Sequence, residues 1–193
     1  DAHIDLPWQW FKQGKYDLSQ DQTHPDRQVD FPRMKKGGLD AAFFALYLSD
    51  GVQDRCNPKT SQETILRQIK ELKEQPGCRV VSDTGEAISA HEDGLVPIFL
   101  GLEGGRLIDA DLTFLTDLRK RGLRYLTLTH NLNNAWADSA TDSKYHDGLT
   151  EVGVGIIYKC EDLDVVIDVS HSSDATITDV LDHSTRSVIA SHS

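Results

Sequence analysis

The chain alternates between two kinds of apolar pattern, and that alternation limits its fold more than any other feature. Short apolar runs rich in β-branched or aromatic residues recur at LDAAFFALYL (39–48), VPIFLGLE (96–103), RYLTLTH (124–130), VVIDVSH (165–171) and SVIASH (187–192). Runs of this length and composition read as buried strands. Between them, apolar residues fall every three or four positions, the spacing of one helix face. TSQETILRQIKELKEQPG (60–77) spaces Ile65, Ile69 and Leu72, offers Thr60 and Glu63 as a capping box, and stops at Pro76 and Gly77. DADLTFLTDLRKRG (109–122) carries Leu112, Leu115 and Leu118, and 149–163 carries Leu149, Val152, Ile156, Cys160 and Leu163. SDATITDVLDHS (173–184) supplies a last, shorter helix.

Strands that alternate with helices imply a parallel sheet, since parallel neighbours need a crossover connection, and continuously apolar strands need cover on both faces. Counting residues 1–5 as the end of a first strand gives six. An open doubly wound sheet and a closed β/α barrel both satisfy this order. No repeat, low-complexity tract or flexible linker divides residues 1–193, which read as one domain. Segments 6–38 and 131–148 are polar and irregular, and loops of that length in a compact domain are usually functional.

Bulk properties exclude several classes. The chain has 193 residues, 38% hydrophobic and 26% charged, an ordinary globular balance. Its 20 basic and 31 acidic residues give a formal net charge of −11, which opposes phosphate backbones, so nucleic acid is not an expected partner. The basic cluster RKRGLR (119–124) reads as a helix end with cations at the negative pole. No apolar run approaches the roughly 18 residues needed for a membrane span. Cys56, Cys78 and Cys160 form no C-x-x-C pair. In an oxidising compartment Cys56 and Cys78 are the candidates for a disulfide, whereas Cys160 fits the apolar face of a helix.

The chemistry gathers at strand ends. The chain opens DAHID, and on a strand residues i and i+2 share a face, so His3 and Asp5 project together. Later strands end in Glu103 (GLEGG), His130 (LTLTHN), His171 (DVSHSS) and His192 (ASHS). In a parallel β/α barrel the C-terminal strand ends open on one face, so these residues would surround one cavity. Imidazoles and carboxylates suit zinc or a similar divalent ion, and two ions sharing a carboxylate bridge fit this number of ligands. Glu103, flanked by glycines that leave room for ions and substrate, is the natural bridge. Manganese and cobalt suit the same donors. Each element also has a structural reading, as a hydrogen-bonded histidine or a helix cap, and repetition at successive strand ends favours the metal reading. His24, His91, His146 and His183 fall in loops or exposed helix positions and read as non-ligands.

The segments DAHIDLPW, GLEGG, RYLTLTHNLNNAWAD, GLTEVG, VVIDVSHSS and VIASHS, taken in order, resemble the membrane dipeptidase (renal dipeptidase) family of binuclear zinc peptidases. The resemblance covers nearly the whole chain. It implies a (β/α)8 barrel of the metal-dependent hydrolase kind and hydrolysis of dipeptides by a metal-bridging hydroxide. It further implies that His3 and Asp5 hold one zinc, that His171 and His192 hold the other, and that Glu103 bridges them. His130 would contact the substrate and steady the oxyanion. Trp136 and Asp138 either shape the pocket or pack and hydrogen-bond within the loop after His130. Such a barrel takes eight strands and about 250 residues. The resemblance therefore implies a chain clipped at both ends to about six β/α units, inactive alone, whose remaining substrate-binding arginine and proton-transfer aspartate fall beyond Ser193. Another metal-dependent amidohydrolase and a non-catalytic relative are the competing readings. Metal-dependent amidohydrolases that open with H-x-H and bridge with lysine differ from H-x-D and Glu103 here. The sequence leaves homo-oligomerisation and location open.

Overall fold

The computed structural model describes residues 1–108 and 112–193. Among them five strands form one parallel sheet: β1 (Ala42–Leu46), β2 (Cys78–Val80), β3 (Val96–Glu103), β4 (Leu123–Thr127) and β5 (Val166–Asp168). The order is β1-β3-β4-β5, with β2 paired to the first residues of β3. Register places Ala45 beside Gly101, Gly101 beside Tyr125, Glu103 beside Thr127, and Thr127 beside Asp168.

The two outermost expected strands are much reduced. Residues 1–5 join β1 through a single bridge from Ile4 to Phe44, and 187–192 join β5 through one from Ile189 to Asp168. In 1–5 only Ile4 is buried, and in 187–192 Val188 and Ile189 are only half-buried, so neither segment buries enough to hold a full ladder. β2 had no counterpart among the expected strands, because three residues with an exposed Arg79 give no periodic signal.

Successive strand residues face opposite sides. One side carries Phe44, Leu46, Ile98, Leu100, Leu102, Leu126 and Ile167, all within the buried core. The other carries Phe43, Phe99 and Tyr125, whose ring centroids lie 5.0 and 5.1 Å from that of Phe43. This aromatic layer forms the floor on which the strand-end residues stand. The arrangement is the parallel α/β sheet of a partial β/α barrel, with the polar groups at the C-terminal ends of its strands.

Helices α1 (Leu6–Gln13) and α2 (Phe31–Lys36) occupy part of the segment expected to be irregular, followed by α3 (Asp50–Gln53) and α4 (Pro58–Lys73). Pro7 in the first turn of α1 and the Asp30 carboxylate, which accepts from Arg33 N at 2.7 Å, start α1 and α2. α5 (Thr84–Glu92) was also not anticipated, although Asp83 and Glu86 cap it reciprocally: Asp83 Oδ1 accepts from Glu86 N at 2.8 Å, and Glu86 Oε2 from Ser82 N at 2.6 Å. α6 (Leu112–Lys120), α7 (Glu151–Asp162) and α8 (Asp174–His183) match the expected helices, except that residues 109–111 of the first lie outside the described residues. Arg119 and Lys120 occupy the last turn of α6, as the basic cluster suggested. Cys160 is fully buried in α7, and all three cysteines are free thiols, so the Cys56–Cys78 pairing is not made. Among the described residues, no helix is long and apolar enough to cross a membrane.

α4 begins before the expected capping box. Its N-cap is Asn57, whose Oδ1 accepts from Thr60 N at 2.9 Å, with Pro58 in the first turn, so Thr60 lies inside the helix. Asn57→Ala should cost about 1 kcal/mol, whereas Glu63→Ala, at an exposed position, should stay within about 0.5 kcal/mol of wild type. Urea midpoints of the two variants check this, and a larger loss at Glu63 would restore the capping box.

Candidate metal centre

Glu103 ends β3 with only 5% of its side chain exposed, and a carboxylate so placed needs positive or donor partners. Four histidines from four other segments supply them. His3 Nε2 lies 3.5 Å from Glu103 Oε2, while His171 Nε2, His192 Nε2 and His130 Nε2 lie 3.3, 3.5 and 3.8 Å from Oε1. Asp5 lies 3.3 Å from His3 Nε2 but is 57% exposed, at the rim of the cluster. Two sets of ligand-type atoms converge within 4.8 Å of one another, His3 with Glu103 and His192, and Glu103 with His130 and His171. His24, His91, His146 and His183 belong to neither set.

Backbone and neighbouring groups orient each imidazole. Tyr125 Oη lies 2.8 Å from His3 Nδ1 and fixes that side of the ring. The phenol reaches there because its ring covers Gly101, where a Cβ would sit 2.0 Å from Tyr125 Cζ. At Gly105 a Cβ would meet Trp136 Cζ2 at 2.3 Å. The space beside Glu103 at these two glycines is therefore filled by protein, not left for ions or substrate. Trp136 is fully buried, and the buried Asp138 carboxylate accepts from the backbone amides of Tyr145, His146 and Asp147 at 3.2, 3.0 and 2.9 Å. Both residues thus pack and hold the 131–148 loop.

That loop in turn holds two site histidines. Ser139 Oγ lies 2.6 Å from His130 O and 3.3 Å from His171 O, and Ala140 N donates to His171 O at 2.8 Å. These bonds hold His171 at φ 64°, a left-handed conformation uncommon for a side-chain-bearing residue.

Asp168, at the end of β5, was not singled out from the sequence. It is fully buried and accepts from Thr127 Oγ1 and Ser191 Oγ, each at 2.6 Å, from Ser170 Oγ at 2.8 Å, and from Ser191 N at 2.9 Å. Burial disfavours its charge, but these bonds outweigh burial and hold its pKa below the usual carboxylate range. Ser191 spends its proton on Asp168, so its oxygen accepts from His192 Nδ1 at 2.8 Å. His192 Nε2 is left with its lone pair toward Glu103. A charged residue inside the apolar run VVIDV was the available signal, since a buried charge requires an organised set of donors.

The donor set suits a divalent cation. His3 Nε2 is buried without a hydrogen-bond partner, although Asp5 and Glu103 flank it. His171 Nε2 and His192 Nε2 approach to 2.8 Å, so a proton or a cation must separate their lone pairs. Imidazole nitrogens oriented from behind by hydroxyl and carboxylate groups around a shared carboxylate are the ligation pattern of zinc-type ions.

A parallel β/α sheet with this cluster at its C-terminal rim defines a barrel-type protein with a candidate divalent-metal centre. The model of the membrane dipeptidase family, peptidase family M19, matches residues 1–193, and the chain belongs to that family. Dipeptidase 3 of Macaca fascicularis is 32% identical over 206 residues, covering 100% of this chain and 40% of that protein. Dipeptidase 3 of Mus musculus is 29% identical over 201 residues, again covering 100% of this chain and 40% of that protein. A metallo peptidase from Rhodobacter sphaeroides, solved with a phosphinate mimic of the dipeptide L-Ala-D-Ala, superposes with a TM-score of 0.83 at 24% identity, over 100% of this chain and 64% of that one. The dipeptidase AC superposes at 0.82 and 24% identity, over 99% and 61%. These structures establish the shared fold, and membership of the family implies metal dependence. The chain spans 40% of the length of these curated relatives.

Protonation of the metal-free cluster is strongly perturbed. Burial lowers the His3 pKa, but Asp5 and Glu103 outweigh it and push it up to about 9. Burial raises that of Glu103, but His171 and His3 overcome it and hold it at about 2. The His3 contribution to stability is full below its unfolded value of 6.5 and is lost as pH rises through about 9. The Glu103 contribution is present above 4.5 and lost as pH falls through about 2. The stability advantage of the metal-free chain over its Glu103→Gln variant should therefore be greatest between pH 4.5 and 6.5 and shrink on both sides. Urea unfolding of both proteins from pH 2 to 9 measures it, and a difference independent of pH would contradict the assignment.

Proposed function

We propose that the polypeptide carrying this chain is a zinc-dependent dipeptidase that hydrolyses the peptide bond of unblocked dipeptides, with two ions at the centre described above. The observation that carries the reading is how Glu103 divides its neighbours: Oε2 faces His3, and Oε1 faces His171 and His192. A carboxylate so divided would bridge two ions, one held by His3 and Asp5 and the other by His171 and His192. His130, farthest of the four histidines from Glu103, would face the substrate.

Divalent ions held by these residues would supply Lewis acidity for the carbonyl and would acidify a bound water. The protein's own groups do the rest. Glu103 stays a carboxylate across the physiological range, because His171 and His3 hold its pKa at about 2. Asp168, acting through Ser191, keeps His192 Nε2 free of its proton. His130 donates toward the carbonyl oxygen as negative charge develops there. The aromatic floor of Phe43, Phe99 and Tyr125 closes the cluster from below and lowers the local dielectric.

Elemental analysis of the purified chain should find about two zinc per chain and about one fewer in His171→Ala, following the two-ion arrangement. Asp168→Asn should weaken zinc binding about 10- to 100-fold, measured by chelator competition. In the polypeptide carrying the chain, Glu103→Gln should reduce hydrolysis of an Ala-Ala-type dipeptide by at least about 100-fold. Absence of bound metal, or preference for N-acyl amino acids over free dipeptides, would overturn the reading.

A further inference from the structure

His130 faces two incompatible uses. With its proton on Nε2 the ring offers a donor to a carbonyl oxygen; with its proton on Nδ1 it offers a lone pair and joins Glu103 and His171 as a third ligand. What contacts Nδ1 decides between them. Two groups do so: Tyr47 Oη at 3.1 Å and Asp50 Oδ2 at 3.6 Å, the second beyond hydrogen-bond reach.

We propose that Tyr47 is a positioning residue whose phenol donates to His130 Nδ1 and thereby fixes the Nε2–H tautomer, leaving His130 as a hydrogen-bond donor to substrate and not as a metal ligand. The inference rests on the dipeptidase reading for its purpose, but not for its chemistry.

Tyr47 is built to hold this position. It follows β1 directly, and the side chain of the buried Gln68 on α4 clamps its backbone from both sides, accepting from Tyr47 N at 3.1 Å and donating to Tyr47 O at 2.8 Å. Its ring packs edge-on against Trp8 at 5.4 Å and tilted against His130 at 4.7 Å. The phenol keeps its proton, because burial and then the negative charges of Asp50, Glu103 and Asp5 raise its pKa. A neutral phenol can donate to an imidazole nitrogen or accept from it, and with Asp50 beyond hydrogen-bond reach of Nδ1 no carboxylate holds a proton there, which favours donation by Tyr47. Asp50 contributes negative charge behind the ring without setting its tautomer.

The test reads the ring itself. Histidine-selective 15N labelling of the chain, with two-bond 1H–15N correlations and assignment from a His130→Gln variant, reports the tautomer in the absence of metal and substrate. Wild type should hold His130 as Nε2–H, and Tyr47→Phe should lower that population by about half or more, because the ring then loses the partner that selects its tautomer. Asp50→Asn should leave it in place. An Nδ1–H ring or an imidazolium in wild type at neutral pH would overturn the proposal. So would an unchanged tautomer in folded Tyr47→Phe, or a switch caused by Asp50→Asn. Zinc content and dipeptide hydrolysis decide the functional reading separately, so failure of one is not failure of the other.

Discussion

A negative charge buried at the end of the longest strand organises this molecule. Glu103 sits where water cannot neutralise it, and an isolated carboxylate there would cost several kcal/mol or give up its charge. It stays ionised because imidazoles from residues 3, 130, 171 and 192 close around it. Segments distant in sequence are thereby held together at one rim of the sheet. The rings of His3 and His192 come within 3.9 Å, although their segments attach to opposite edges of the sheet and each joins it by one bridge. In the proposed metal centre the same demand for positive charge would be met by divalent ions, held by His3, His171 and His192 once their Nε2 atoms are free of protons.

Around that centre lies a second ring of groups that present themselves as packing or turn residues until their contacts are traced. Gly101 lacks a side chain so that Tyr125 can cross it and reach His3. Gly105 is bare so that Trp136 can lie beneath the loop that carries Ser139. Ser139 ties the carbonyls of His130 and His171, and Asp168 governs His192 through Ser191. Tyr125 and Ser191 thus hold the rings of His3 and His192 at Nδ1, and Ser139 holds the backbone of His130 and His171, the condition for a preorganised centre.

Much of this architecture was legible before any coordinates. Alternating apolar patterns yielded β1, β3, β4 and β5, together with α4, α6, α7 and α8, because long periodic segments bury enough surface to override local preference. The strand-end histidines and Glu103 were visible because ligand-type residues recur where a parallel sheet collects them. β2 was missed because three residues have no period, α2 and α5 because their clearest signals are side-chain caps on short segments, and α1, LPWQWFKQ, because its apolar residues lie in a segment taken as polar and irregular. The capping box at Thr60 misled for a related reason: Asn57 and Pro58 just upstream formed the better helix start. The opening pair H-x-D was read as two residues projecting from one strand face; the His3 side chain is buried while that of Asp5 opens to solvent, a difference that alternation along a strand cannot express.

The supporting ring was illegible for a deeper reason. Tyr47, Tyr125, Asp168 and Ser191 act through atoms 2.6 to 3.1 Å from partners that lie 1 to 122 positions away. No spacing rule connects Tyr125 to His3 or Tyr47 to His130, since each pair meets only after the sheet has formed. What sequence does reveal is the cost such residues impose: a carboxylate in an apolar run, or a glycine inside a strand, is unfavourable unless something distant compensates. Asp168 in VVIDV and Gly101 in FLGLE are such residues, and each marks a place where the second ring touches the first. In this chain, local violations of strand chemistry lie next to the centre because orienting its imidazoles takes polar atoms and close approach, both of which a strand core otherwise excludes.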